Sequence, residues 1–263
     1  MSVPNLNDYI EIHSDLFDHY NRLCRRLTEE QLGLQSLCPD WDLRGVIAHV
    51  VGVESVLDGW APSTENPPPF GKLATFQSEA AGFDRARLAM RVDEITASRL
   101  DHLRSLDPSV VDAPSITPAG IRTYGAFLQI RIFDMWVHAR DIAIPMGEQL
   151  DNTGLAAEIA LAEVAGSIGY IVGKKIGLPD GKSIVFHVNG GVERDLAVVV
   201  DGRAKVVEAV DSPDVEVSAD LQTFMMLAAG RVDPQAQIDA GKITWTGDDQ
   251  WGEAAARKLA YTI

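Results

Sequence analysis

The chain is short of cysteine. Cys24 and Cys38 are its only two, too few for a disulfide framework and not placed as a metal-binding CxxC pair, so a reduced, cytoplasmic setting is expected. It is equally short of positive charge. Lys and Arg number 23 against 38 Asp and Glu, a formal net charge of −15 shared almost evenly between the two halves, and neither half offers a basic face for nucleic acid. No run approaches the ~18 apolar residues of a membrane span, and the opening MSVPNLNDYIEIHSD has neither the basic start nor the apolar core of a signal peptide. No membrane partner is expected, and the assembly state is expected to be a monomer or small homo-oligomer. With 263 residues, 46% of them hydrophobic, the chain can fold without cross-links, most simply as two domains.

What is present divides near residues 145 to 152. Residues 6 to 27 carry apolar positions at helical spacing and end in Arg22, Arg25 and Arg26, which suit a helix C-terminus. After Pro39, Asp40 or Asp42 can cap a second helix whose buried face is Leu43, Val46, Val50, Val53 and Leu57, with His49 on that face. Ala61 to Gly71 contains Pro67 to Pro69 and reads as a loop long enough to cover something. Helical periodicity returns over 75 to 106, with Phe76, Phe83, Met90 and Ile95 among its apolar positions. Pro108, Pro114 and Pro118 make a second loop before a fourth helix. Beyond Pro145 and Gly147 comes an alanine-rich helix over 151 to 173. Alternating strands follow at Ile184 to Val188, Leu196 to Val200 and Ala204 to Val210, joined by Gly-containing turns. DVEVSAD, the helix LQTFMMLAAG, the short strand KITWTG and a last helix complete the chain. The expected fold is α+β: a four-helix bundle over 1–147, then a smaller α+β domain with an antiparallel sheet over 148–263.

The chemistry concentrates in RIFDMWVHARD, Arg131 to Asp141. Asp134 and His138 stand four apart and leave the same helix face. Their stripe continues back through Ile130 and Phe127, so ionisable groups project from an apolar face and need partners. A divalent ion such as zinc is one partner, since imidazole and carboxylate are both ordinary ligands. Pairing with each other, or with Arg131 and Arg140, is the other. If His49 joins them, three protein ligands and an open position result, as in a catalytic zinc site. His13, inward on the first helix, is a possible fourth polar group or a histidine bonded to a neighbour.

Three ordered motifs carry a resemblance over nearly the whole chain. C-P-x-W-x-L-R-x-x-x-x-H (Cys38 to His49), F-D-x-W-V-H-x-x-D (Phe133 to Asp141) and L-A-x-G-R-x-D-P (Leu227 to Pro234) together resemble the mycothiol-dependent maleylpyruvate isomerase family. That family joins a DinB-like four-helix metalloenzyme domain to a sterol-carrier-protein-like domain. The resemblance implies a divalent metal, zinc in the first place, held by His49, Asp134 and His138. It also implies mycothiol or a similar low-molecular-weight thiol, presented as a thiolate to a small electrophile by an isomerase or an S-transferase. Arg231 becomes a candidate catalytic and cofactor-binding residue through a carboxylate of substrate or thiol, and Asp141 a candidate for orienting His138. In the family pattern the carboxylate is Glu, whereas residue 134 is Asp. Being one methylene shorter, it requires the helix to sit closer to the metal or a water to intervene.

Two other readings stay open from sequence. In one, the protein binds a lipid or other small molecule without catalysis. In the other, Cys38 is a nucleophile with His49 as its base, although no orienting or oxyanion group accompanies the pair.

Overall fold

The chain divides into two compact units, Met1–Gln149 and Leu150–Ile263; the computed structural model describes residues 4–262. In the first unit, Asn5 caps α1 (Leu6–Arg26) by accepting from the amides of Asn7 and Asp8, while Asp8 bonds back to Asn5 N, and Arg25 and Arg26 occupy the last turn. These are the reciprocal cap and dipole complement that fix helix ends. A single turn, α2 (Glu29–Leu32), precedes α3 (Leu43–Leu57), which Asp42 caps through Gly45 N. Then come α4 (Leu73–Ala80), α5 (Arg85–Ser105), the hairpin β1 (Pro114–Thr117) and β2 (Gly120–Thr123), and α6 (Tyr124–Ala143). Helices α1, α3, α5 and α6 pack as the expected four-helix bundle around Phe17, Tyr20, Val46, Val50, Ile132 and Met135, each at most 1% exposed.

Two expectations for this unit are corrected. The periodicity over 75 to 106 is two helices, because the chain turns at Gly82 and Asp84 caps a new helix by accepting from Arg87 N. The break resets the phase: Leu88, Val92, Ile95, Arg99 and Leu103 now face inward, and Met90, expected on the apolar face, is 51% exposed. The second proline-rich stretch is also more than a loop. Its hairpin uses Pro114 at a strand's first residue, where a missing N–H is tolerated, and Gly120 at φ 92° in the turn. Strands of four residues are too short to show alternation.

The second unit opens with α7 (Gly154–Tyr170), which runs into a single π-turn over Ile171–Ile176 and stops at left-handed Gly177. Strands β3 (Ser183–Asn189), β4 (Arg194–Asp201), β5 (Arg203–Val207) and β6 (Val215–Asp220) are followed by α8 (Leu221–Ala228), α9 (Pro234–Asp239), β7 (Ile243–Gly247) and α10 (Asp249–Arg257). The sheet order is β5-β4-β3-β6-β7. Three of its four pairings are antiparallel as expected, but β3 and β6 run parallel in register from Ile184↔Val215 to Asn189↔Asp220, so the sheet is mixed. Alternation along a strand reports which face is buried and is silent on the neighbour's direction. The expectation that no segment reaches membrane-span length is corrected as well. Gly154–Ile176 is long and apolar enough by length and composition, with 44% of its most apolar window buried. Ala157, Ala160, Leu161 and Val164 lie in the core, and the smallness of Gly173 lets the segment approach Ala204 closely.

His13 is fully buried, with Nδ1 2.7 Å from the Tyr9 carbonyl. Burial lowers its pKa from 6.5 to about 4, helped by Arg99 and opposed by Glu54. The unfolded chain therefore binds a proton that the folded one refuses. This stabilisation is complete above pH 6.5 and is expected to be lost, by about 3 kcal/mol, as pH falls to 4. Urea unfolding across that range should show a shallower pH slope in His13→Leu than in the wild type.

Candidate metal centre

The site is assembled from the turn before α3, the middle of α3 and the C-terminal half of α6. The turn Cys38-Pro-Asp-Trp41 closes with Trp41 N donating to Cys38 O, and Gln35 and Ser36 hold it from the side. Gln35 Nε2 donates to Cys38 O at 2.8 Å and to Trp41 O at 2.9 Å, and Ser36 Oγ donates to Trp41 O at 2.7 Å. This fixes the Trp41 ring, which stacks on His49 at 4.7 Å and 27°. One imidazole is thereby set in plane by packing, before any ligand is considered.

The second imidazole is set by hydrogen bonding. His138 Nδ1 lies 2.8 Å from Asp141 Oδ2, and Asp141 is fully buried one turn further along α6. Cys38 Sγ donates to the same Asp141 oxygen at 3.1 Å, and Leu37 N donates to the Asp141 carbonyl. With Nδ1 so engaged, His138 Nε2 faces Asp134 Oδ1 at 3.6 Å, and His49 Nε2 faces Asp134 Oδ2 at 3.7 Å. The two rings are 4.8 Å apart. The three predicted ligands thus converge, one donor atom from each lying within 4.8 Å of the others. A tetrahedral ion with ~2 Å bonds sets its ligands roughly 3.3 Å apart, so this trio fits one after a small contraction. Asp134 reaches both imidazoles despite being shorter than Glu. A second trio, Cys38, His138 and Asp141, also clusters, but its 2.8 and 3.1 Å separations are those of hydrogen bonds with protons between the atoms.

Behind Asp134 lies a buried ionic chain that sequence reasoning missed. Arg131 donates through Nη1 to Asp134 Oδ2 at 2.7 Å and through Nε to Glu54 Oε1 at 2.9 Å. Glu54 also accepts from Arg99 Nε at 3.2 Å, and both residues are fully buried. Arg99 extends the chain to Tyr124 Oη, Leu57 O and His102. Burial alone would raise the pKa of Asp134, but Arg131 foremost, then His138 and His49, hold it well below the usual carboxylate range. Arg131 and Arg99 likewise keep Glu54 low against burial. The pairing of Asp134 with Arg131 that the sequence offered as a rival to metal binding is therefore present alongside the histidine cluster. Arg140 goes elsewhere, with Nη1 on Trp136 O and its guanidinium over the Trp136 ring. A signal for the missed chain was available: Arg99 falls in the apolar stripe Leu88, Val92, Ile95, Leu103, and Glu54 lies between Val53 and Leu57 on a helix that is mostly apolar.

The remaining candidates are not part of this trio. His13 bonds to the main chain, and Cys38 donates to a carboxylate, the reverse of the electropositive setting that activates a nucleophilic thiol. Arg231 belongs to the second unit, where Nη1 donates to Ala229 O at 2.9 Å.

Fold and site together define a two-domain protein whose helical half carries a His-Asp-His cluster. The model for the mycothiol maleylpyruvate isomerase N-terminal domain matches residues 14–143, and the C-terminal domain model of the same family matches residues 158–254. The chain belongs to the mycothiol-dependent maleylpyruvate isomerase family. The uncharacterized protein Rv0738 of Mycobacterium tuberculosis (strain H37Rv) is 28% identical over 160 residues, 60% of this chain and 76% of its own length. A crystal structure of the mycothiol-dependent maleylpyruvate isomerase aligns over 92% of both chains with TM-score 0.62 and 19% identity. A histidine-to-alanine mutant of that enzyme aligns over 92% of both chains with TM-score 0.60 and 18% identity. At these identities the likeness is one of fold.

Removing Glu54 leaves two buried guanidiniums without their shared anion. Glu54→Ala is expected to lower the unfolding free energy by about 3–5 kcal/mol in urea titration at neutral pH.

Proposed function

We propose that this protein is a metal-dependent enzyme in which a low-molecular-weight thiol, mycothiol in the first place, attacks an electrophilic small molecule. The observation that carries the reading is the convergence of His49, Asp134 and His138 donors at one point. Two nitrogens and one oxygen from the chain leave a fourth position for the thiol, the ligand count of a catalytic zinc site. A divalent metal bound there, zinc before others, supplies the means to hold a thiol as thiolate near neutral pH, where a free thiol of pKa ~8.5 is mostly protonated.

The chain's own groups do the positioning. Asp141 holds the proton on His138 Nδ1, so that the Nε2 lone pair points toward His49 and Asp134. Trp41 keeps the His49 plane fixed. Arg131 restrains Asp134 from one side, leaving its other oxygen toward His138. Arg231 is proposed to bind an anionic group carried by the thiol or the electrophile, as the matching family motif implies. If the thiolate adds to a conjugated double bond, the resulting single bond rotates and elimination returns the thiol, the enzyme is an isomerase. If the adduct leaves, it is an S-transferase.

Protein purified without chelator is expected to contain stoichiometric divalent metal by elemental analysis. His49→Ala and His138→Ala should lose it, and Asp141→Asn should retain it with affinity weakened about 10–100-fold. A metal-free wild type that also fails to bind added zinc would sink the reading. Cys38→Ala should consume mycothiol in the presence of an electrophile as fast as the wild type; loss of that activity would restore the cysteine-nucleophile alternative.

A further inference from the structure

A cavity of 210 Å³ opens beside the cluster, with His49 and Asp134 on its edge, so an occupant abuts the position proposed for the thiolate. Apart from Arg131, its other walls are hydrocarbon. Val53 comes from α3, Phe127 and Ile130 from the turns of α6 that precede Asp134, Phe70 and Leu73 from the end of the proline-rich loop and the start of α4, and Pro118 from the β1–β2 turn. Resting on the reading just given, we infer that the electrophile is a small neutral molecule with an apolar body, seated in this cavity.

Charge and size carry the inference. Among the described residues, the one cation lining the cavity is Arg131, with Nε donating to Glu54 at 2.9 Å, Nη1 donating to Asp134 at 2.7 Å, and Nη2 buried beside Glu54 without a hydrogen-bond partner. A carboxylate entering here would exchange water for aliphatic and aromatic walls and would meet Asp134, while Arg131 Nε and Nη1 are engaged and its unpartnered Nη2 is buried, which disfavours it. A neutral enone or enal loses little by the same transfer and buries its carbon skeleton. At 210 Å³ the cavity suits a small molecule, such as a six-carbon ring bearing a carbonyl. The same argument restricts Arg231 to an anionic group on the thiol.

The chemical step needs no further reactant. The thiol proton passes to solvent, a sulfur electron pair forms the new C–S bond at the β-carbon, and the π pair moves toward the carbonyl. The α-carbon then takes a proton from water.

The test uses the metal-loaded full chain with mycothiol and two electrophiles, cyclohexenone and the carboxylate-bearing enone acetylacrylate, each enzymatic rate divided by its uncatalysed rate. The neutral enone is expected to be favoured about tenfold or more. Ile130→Lys, which adds a cation to the cavity wall one turn before Asp134, should narrow or invert that ratio while keeping its metal, and Ile130→Leu should restore it. Binding is read separately through tryptophan fluorescence with the unreactive analogues cyclohexanone and levulinate, since Trp60 stands 5.3 Å from Phe127 and Trp41 stacks on His49. Preference for acetylacrylate, or a ratio unmoved by Ile130→Lys, overturns the inference and leaves the thiol chemistry standing. No thiol consumption with either electrophile, together with tighter cyclohexanone binding that Ile130→Lys abolishes, overturns the thiol reading and keeps the assignment of the cavity to neutral apolar molecules. Tighter binding of levulinate removes that assignment in every case.

Discussion

Glu54 is held between Arg99 and Arg131 with none of the three more than 5% exposed, and each comes from a different helix of the bundle. Taking one carboxylate and two guanidiniums out of water is costly, and their mutual attraction offsets the cost only when the geometry is good and the remaining donors are used. Most of them are used: Arg99 continues to Tyr124, His102 and the Leu57 carbonyl, and Arg131 continues to Asp134, while Arg131 Nη2 lies beside Glu54 without a hydrogen bond. The arrangement ties α3, α5 and α6 to one register. A slip of one residue along any of them would strand a buried charge. An apolar core of the same volume would tolerate such a slip more easily, so the chain acts as a specificity device as well as a set of contacts.

The candidate metal centre inherits its order from that chain and from two smaller restraints. Asp134 stands at the outer end of the ionic series, the His138 ring is bonded to Asp141, and His49 lies under Trp41. Each of the three donors is therefore positioned by a neighbour of a different chemical kind: a guanidinium, a carboxylate and an indole face. A site whose ligands are already restrained loses less side-chain entropy on binding an ion, which is the advantage of preorganisation. The cavity beside it has a contrasting character. Polar groups gather on the cluster side and hydrocarbon on the other, so a reacting molecule would meet its partner at the boundary between a charged and an apolar surface.

Much of this was legible in the sequence because it depends on spacing within one segment. The i, i+4 placement of Asp134 and His138 follows from helical pitch alone, and so does the placement of Asp141 one turn beyond His138. Asp42, one of the two caps offered for the second helix, marks its start by accepting from a free amide. Failures occurred where a local pattern had two meanings. The 75 to 106 stretch keeps an approximate helical period across Gly82 and Asp84, yet Asp84 prefers to cap, and the helix restarts in a different phase. The hairpin at 114–123 was too short to alternate visibly, and strand direction leaves no mark on alternation, so the parallel β3–β6 pair was invisible.

The sequence by itself determined most of the helices and strands, the two-domain texture and the facing pairs within single helices, because those arise from backbone period and side-chain polarity over a few neighbouring residues. Only the tertiary structure decided that His49 meets a pair more than eighty positions away, that Arg131 is divided between Glu54 and Asp134, and that Arg99 is a core residue. These are long-range choices. They depend on which helices pack and at what depth, and no local period encodes the free energy of placing a charge beside one distant partner rather than another.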